Sequence, residues 1–146
     1  MRLMQSLLMA CLMFTAPMAT AAGVSKATVF KDPSCGCCNR YIDYLKANGF
    51  SVKAVDRDDM VMVKNGFHIP FPMRSCHTML IDGYVVEGHV PVAAIHKLLD
   101  QHPKIEGVAL PRMPATSPGM GPEKPGSLTI YVLGGDGEHP KIFSVE

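Results

Sequence analysis

The chain has no excess of charge of either sign: 14 lysines and arginines stand against 13 acidic residues, for a formal net charge of +1. A near-neutral chain has no electrostatic reason to bind nucleic acid or anionic lipid, since both associations draw on concentrated positive charge. Three chemical signatures are also missing: there is no P-loop, no dinucleotide fingerprint and no Ser-His-Asp order. No internal repeat is visible. No stable membrane span is expected, since the apolar N-terminal run is too short and wrongly flanked for one. What the chain does have is sulfur, with five cysteines and eleven methionines in 146 residues.

The N-terminus accounts for part of that sulfur. Arg2 supplies a short positive region, Leu3 to Met18 is apolar, and Ala19-Thr20-Ala21 is a small-x-small site. This pattern predicts a signal peptide over residues 1–22, cleaved after Ala21 or Ala22, and export to the periplasm. Leu8-Met9-Ala10-Cys11 resembles a lipobox, which would make the protein a lipoprotein anchored through Cys11. The apolar run before Cys11 is short and continues past it, so the signal-peptide reading is preferred. Cleavage removes Arg2 and Cys11 and brings the formal charge from +1 to zero. Met60, Met62, Met73, Met79, Met113 and Met120 remain, in one domain over residues 23–146. In an oxidising compartment the remaining thiols end as disulfides, as a cycling redox pair or under a metal.

Turn and periodicity signals divide that domain into short elements. Ala27-Thr28-Val29-Phe30 predicts a first strand, and Ser34 is placed to cap a helix over 36–47 with Tyr41, Ile42 and Leu45 buried. Alternation over 50–55 predicts a second strand, and Asp58 and Asp59 open a short helix that Asn65-Gly66 stops. Past the breaker-rich loop 68–72, residues 76–81 and 84–86 read as strands around Asp82-Gly83, a type I′ hairpin signal. A further helix covers 92–101, with Ile95, Leu98 and Leu99 on its core face. The order β-α-β-α-β-β-α is a thioredoxin-like layout, an α/β fold of three layers. Residues 108–125 read as a loop rich in proline, glycine and methionine, and 128–133 with 141–145 as an added C-terminal β-hairpin.

The chemistry sits at two places in this layout. Cys35-Gly36-Cys37-Cys38 falls at the start of the first helix, where unpaired N–H groups and the helix dipole favour a thiolate at Cys35. Cys38 lies one turn later on the same face, so Cys35 and Cys38 can act on one partner as metal ligands or as a catalytic redox pair. Cys37 points off that face. It serves either as an extra ligand in a bridged cluster or as a small buried residue. Adjacent Cys37 and Cys38 are poor disulfide partners for each other. Cys76-His77 opens the third strand, and His77 takes the place that a cis-proline holds in thioredoxin-like proteins. That places Cys76, His77 or both opposite Cys35 and Cys38.

Weaker candidates surround this set. His89 enters a helix near the same sheet end, as a ligand or as a capping or exposed residue. Met113 and Met120 carry thioethers suited to Cu(I), or simply cover apolar surface. His68, His96, His102 and His139 read as surface residues, and Met60, Met62 and Met79 as core. Asp56, Asp58 and Asp59 read as turn and helix-start residues rather than a carboxylate metal site.

Four motifs stand in order: Asp-Pro-Ser-Cys-Gly-Cys-Cys (32–38), Ser-Cys-His-Thr (75–78), Gly-Tyr-Val-Val-Glu-Gly-His-Val-Pro (83–91) and Pro-Arg-Met-Pro with Ser-Pro-Gly-Met (111–120). Together they resemble the CopG-type periplasmic copper-resistance proteins, a family long catalogued as a domain of unknown function. The resemblance implies a thioredoxin-like fold with a Cys-x-Cys-Cys copper site. By position it points to Cys35, Cys37, Cys38, Cys76 and His77. It further implies several copper ions in a thiolate-bridged cluster, and a role in interconverting Cu(I) and Cu(II).

Three functions follow as expectations. The first is a copper-binding protein of copper resistance, holding Cu(I) and also Cu(II), with a copper exporter or an electron-transfer protein as partner. Electron exchange with copper would make it an oxidoreductase, although a passive buffer or chaperone carries the same ligands. The second is a thiol–disulfide oxidoreductase in which Cys35 attacks and Cys38 resolves. The third is a structural zinc module, disfavoured because three cysteines from one tight turn make poor tetrahedral geometry.

Overall fold

The computed structural model describes residues 24–134 and 139–146. The expected signal peptide over 1–22 and the lipobox cysteine Cys11 lie outside them. Seven strands form one mixed sheet: β1 (Lys26–Lys31), β2 (Ser51–Asp56), β3 (His77–Ile81), β4 (Tyr84–Glu87), β5 (Gly107–Ala109), β6 (Thr129–Leu133) and β7 (Ile142–Val145). The spatial order is β2-β1-β3-β4-β5-β6-β7. The β1–β2 and β4–β5 pairs are parallel and the other four are antiparallel. Among the described residues, the helices α1 (Gly36–Ala47) and α3 (Val92–Gln101) supply the two parallel crossovers, and α2 (Met60–Gly66) lies in the connection from β2 to β3. No helix among the described residues is long and apolar enough to cross a membrane.

Strand alternation sorts side chains onto two faces. On one face, Ala27, Val29, Met79, Ile81, Val86, Val108 and Ile130 meet Tyr41, Ile42 and Leu45 of α1 and Ala94, Ile95 and Leu98 of α3. Each large apolar side chain buried here contributes about 1.5–3 kcal/mol. On the other face, Val85, Ala109 and Leu133 pack with Ile69 and Met73, and Phe30 meets Phe67 beyond the end of α2. Asp82 and Gly83 both take positive φ (47° and 80°), as the tight β3–β4 turn requires.

Several expectations need correction. Ser34 does not cap α1: Cys35 occupies the N-cap position, while Ser34 turns back to Asp32 Oδ1. The short Asp side chain competes for Ser34 and closes a local turn instead. The start of the segment read as loop 108–125 is a strand, because Val108 and Ala109 pair with β4 and β6. A three-residue strand between two others carries too little pattern to stand out. Met62 is 66% exposed rather than core, and Met60 is half-buried. Helix α2 has only two turns, and they bury Val63 and Lys64 instead. Strands β6 and β7 are antiparallel neighbours, and their connection includes residues outside the described set.

Candidate metal centre

The sulfur-rich turn leaves β1 and enters α1 at its N-terminus. The N-cap residue Cys35 has extended backbone (φ −71°, ψ 90°) and no side-chain capping bond. Its thiol position therefore sits among the unsatisfied N–H groups of the first turn. Cys35 and Cys38 are joined as a disulfide, while Cys37 and Cys76 are free. The sulfur of Cys37 lies 3.5 Å from that of Cys35 and 3.9 Å from that of Cys76. Cys37 was expected to point off the Cys35–Cys38 face. Instead its sulfur turns into the shared pocket, and the four sulfurs all lie within 4.8 Å of one another.

Cys76 reaches the pocket because β3 runs antiparallel to β1, pairing His77 with Lys31 at the end from which the Cys turn departs. This approach is braced beneath by a buried ion pair. Lys64 Nζ donates to Glu87 Oε1 at 2.6 Å and to Thr78 Oγ1 at 3.0 Å, and Thr78 Oγ1 donates to Glu87 Oε2 at 2.7 Å. The Ser75 backbone N–H adds a 2.6 Å bond to the same carboxylate, fixing the chain just before Cys76. Gly88, at φ 80°, lets His89 approach. A Cβ there would fall 2.5 Å from the Leu110 carbonyl oxygen and 2.7 Å from Ser75.

His77 and His89 are fully buried beside Cys76. His77 Nδ1 lies 3.4 Å, and His89 Nε2 3.0 Å, from the Cys76 sulfur. His89 Nδ1 lies 2.6 Å from the Pro118 carbonyl, which can only accept, so Nδ1 carries the proton and Nε2 presents a lone pair to Cys76. Burial first, then His89 and the Lys64 ammonium, hold His77 well below its ordinary 6.5. Burial also lowers His89, helped by Arg40 and opposed by its bond to Pro118. Both rings are therefore neutral, the ligating form. Burial, with the adjoining Cys37, pushes the Cys76 thiol up to about 12, so without a cation nearby it keeps its proton. His77 Nε2 is buried with no hydrogen-bond partner, an orphan that protein groups usually avoid.

The expected five-residue set therefore divides. Cys35, Cys37, Cys38 and Cys76 form one group, and Cys76, His77 and His89 form a second, with Cys76 common to both. His89, read as a ligand or as a capping or exposed residue, lies in the second group. Its neighbour Gly88 was a signal, but the burial came from the 111–120 segment, which folds back over α1. Arg40 Nε donates to the Gly119 carbonyl at 2.7 Å, and Ser117 and Pro118 are buried. Met120 is half-buried in that segment, and Met113 is 48% exposed in a groove with Pro72 and Met73. His68, His96, His102 and His139 are exposed, as expected. Asp56 pairs with Lys31 and Asp59 with Arg57, and neither belongs to the two groups around the sulfurs.

Fold and site together define a mixed α/β protein whose first helix begins in a thiol cluster able to hold metal. Residues 73–120 match a family model described as a protein of unknown function, DUF411. Two solved structures are similar. Form 2 of the copper resistance protein CopG is 37% identical, over 84% of this chain and 98% of that one, with a TM-score of 0.72. Form 1 is 38% identical, over 83% and 96%, with a TM-score of 0.71. Comparison with curated proteins gives no match. The chain belongs to the family of the CopG copper resistance proteins.

Proposed function

We propose that this is a periplasmic copper-binding protein of copper resistance, holding Cu(I) as cargo in a thiolate-bridged site of more than one ion. The supporting observation is the convergence of four sulfurs within 4.8 Å, one of them shared with two buried imidazoles. Thiolates select Cu(I), and neutral imidazole also accepts Cu(II). Cys76, common to both groups, is the natural bridging ligand. Full occupation requires reduction of the Cys35–Cys38 disulfide, which takes up two electrons and two protons. A donor set that serves both oxidation states supports interconversion of Cu(I) and Cu(II), with a periplasmic electron-transfer protein or a copper exporter as partner. In this reading residues 1–22 are the removed signal peptide, and residues 23–146 form one domain. Strands β1 to β4 with α1 and α3 make a thioredoxin-like core, extended by a C-terminal β-hairpin.

The test is to load the reduced mature protein with copper under anaerobic conditions and count copper and free thiols per chain. More than one Cu(I) per chain, reduced by Cys37→Ser and by His89→Ala, is expected. A single Zn(II) with no copper preference would overturn the reading. A second reading, thiol–disulfide oxidoreductase, is favoured by the disulfide at the N-cap of α1. Disulfide-reductase activity that survives Cys37→Ser and does not respond to copper would establish it instead.

A further inference from the structure

The two free thiols lie next to the disulfide. Cys37 Sγ is 3.5 Å from Cys35 Sγ, about van der Waals contact between sulfurs, and Cys76 Sγ is 3.9 Å from Cys37 Sγ. We propose that the disulfide is not fixed at Cys35–Cys38 but migrates by internal exchange to Cys37–Cys76, so that a single disulfide alternates between clipping the helix turn and tying α1 to β3. The inference concerns the metal-free oxidised protein and does not rest on the copper reading.

The exchange balances without an outside oxidant. The Cys37 sulfur attacks Cys35, the Cys35–Cys38 bond breaks, and Cys38 leaves with the electron pair and takes a proton. The Cys76 sulfur then attacks Cys37, the transient Cys35–Cys37 bond breaks, and Cys35 leaves with the pair and a proton. One disulfide and two thiols stand on each side, and the two protons lost by Cys37 and Cys76 are gained by Cys38 and Cys35. Exchange requires a thiolate placed against a disulfide sulfur: the first contact supplies the placement, and Cys37 and then Cys76 each give up a proton as they attack. The product differs in reach. Cys35–Cys38 spans a separation of three residues, whereas Cys37–Cys76 spans 39 and joins two elements that otherwise meet through side-chain contact. Migration would thus return half-buried Cys35 and buried Cys38 to the thiol form without any change in overall redox state.

The linkage can be read directly. The mature protein is oxidised to one disulfide per chain, its free thiols are blocked with N-ethylmaleimide at mildly acid pH, and it is digested with trypsin without reduction. Cleavage after Lys31, Arg40, Arg74 and Lys97 puts Cys35, Cys37 and Cys38 in one peptide and Cys76 in another. We expect two products: the first peptide bridged within itself, and the first peptide joined to the second with Cys35 and Cys38 blocked. In Cys37→Ser the joined product should vanish while the internal bridge remains. Wild type with no joined product above that background overturns the proposal. So does a joined product that persists in Cys37→Ser, or one found only in covalent dimers. Circular dichroism of the variant verifies that it is folded, and Cys76→Ser provides a second background.

Discussion

The two halves of the site are built in opposite ways. The sulfur half is local: three cysteines within four residues at a helix start, half-exposed except for Cys38. The imidazole half is assembled from distant segments, with His77 and His89 fully buried against Tyr41 and closed over by Pro118. The sulfur half gains its character from donor type and from the helix end. The imidazole half gains its character from exclusion of water, which keeps both rings neutral. Cys76 belongs to both, so a change there touches a soft, accessible set and a dry, neutral set at once.

Cys76→Ser should therefore separate the site most deeply. Copper binding by the reduced protein is expected to weaken at least tenfold, roughly the lower end of the loss caused even by changes to groups that only orient a ligand. Competition titration against a Cu(I) chelator measures it. Loss confined to the imidazole half, with copper on the other three sulfurs unaffected, would show that the halves work independently.

The brace under the imidazole half should have the largest effect on stability. Lys64→Met leaves Glu87 buried without its counter-ion and is expected to cost about 3–5 kcal/mol. Urea unfolding of the metal-free protein reads this loss. A variant that replaces both partners by apolar residues should recover much of it, because the uncompensated charge is then gone.

The smallest effect is the pH dependence of that same half. His77 is held neutral in the fold, while the unfolded chain takes up a proton near the ordinary 6.5. The unfolded state thus binds more protons as pH falls through that value, and stability falls with it. The slope from His77 is at most about 1.4 kcal/mol per pH unit. His77→Phe should flatten the urea midpoint of the metal-free protein between neutral pH and pH 5. An unchanged slope would mean that His77 is not buried neutral.

Much of the fold was legible because its signals are local. Helix α1 shows a stripe at Tyr41, Ile42 and Leu45, Asp82-Gly83 marks its turn by composition, and α3 carries apolar residues at helical spacing. Strand β5 was not legible, since three residues held between two neighbours owe their conformation to the pairing itself. At the site, Cys35, Cys37, Cys38, Cys76 and His77 could be named from donor chemistry and motif order. The direction of Cys37, the exposure of Met62 and the burial of His89 could not. Each depends on what packs against it from elsewhere.

Sequence alone determined the donors, because side-chain chemistry travels with the residue: three sulfurs at a helix start, and a cysteine beside a histidine at a strand start. Only tertiary structure decided how they combine. The antiparallel entry of β3 beside β1, the close approach at Gly88 and the fold-back of 117–119 bring Cys76 within reach of both groups. Their physical basis is long-range packing and desolvation, which no short stretch of the chain contains.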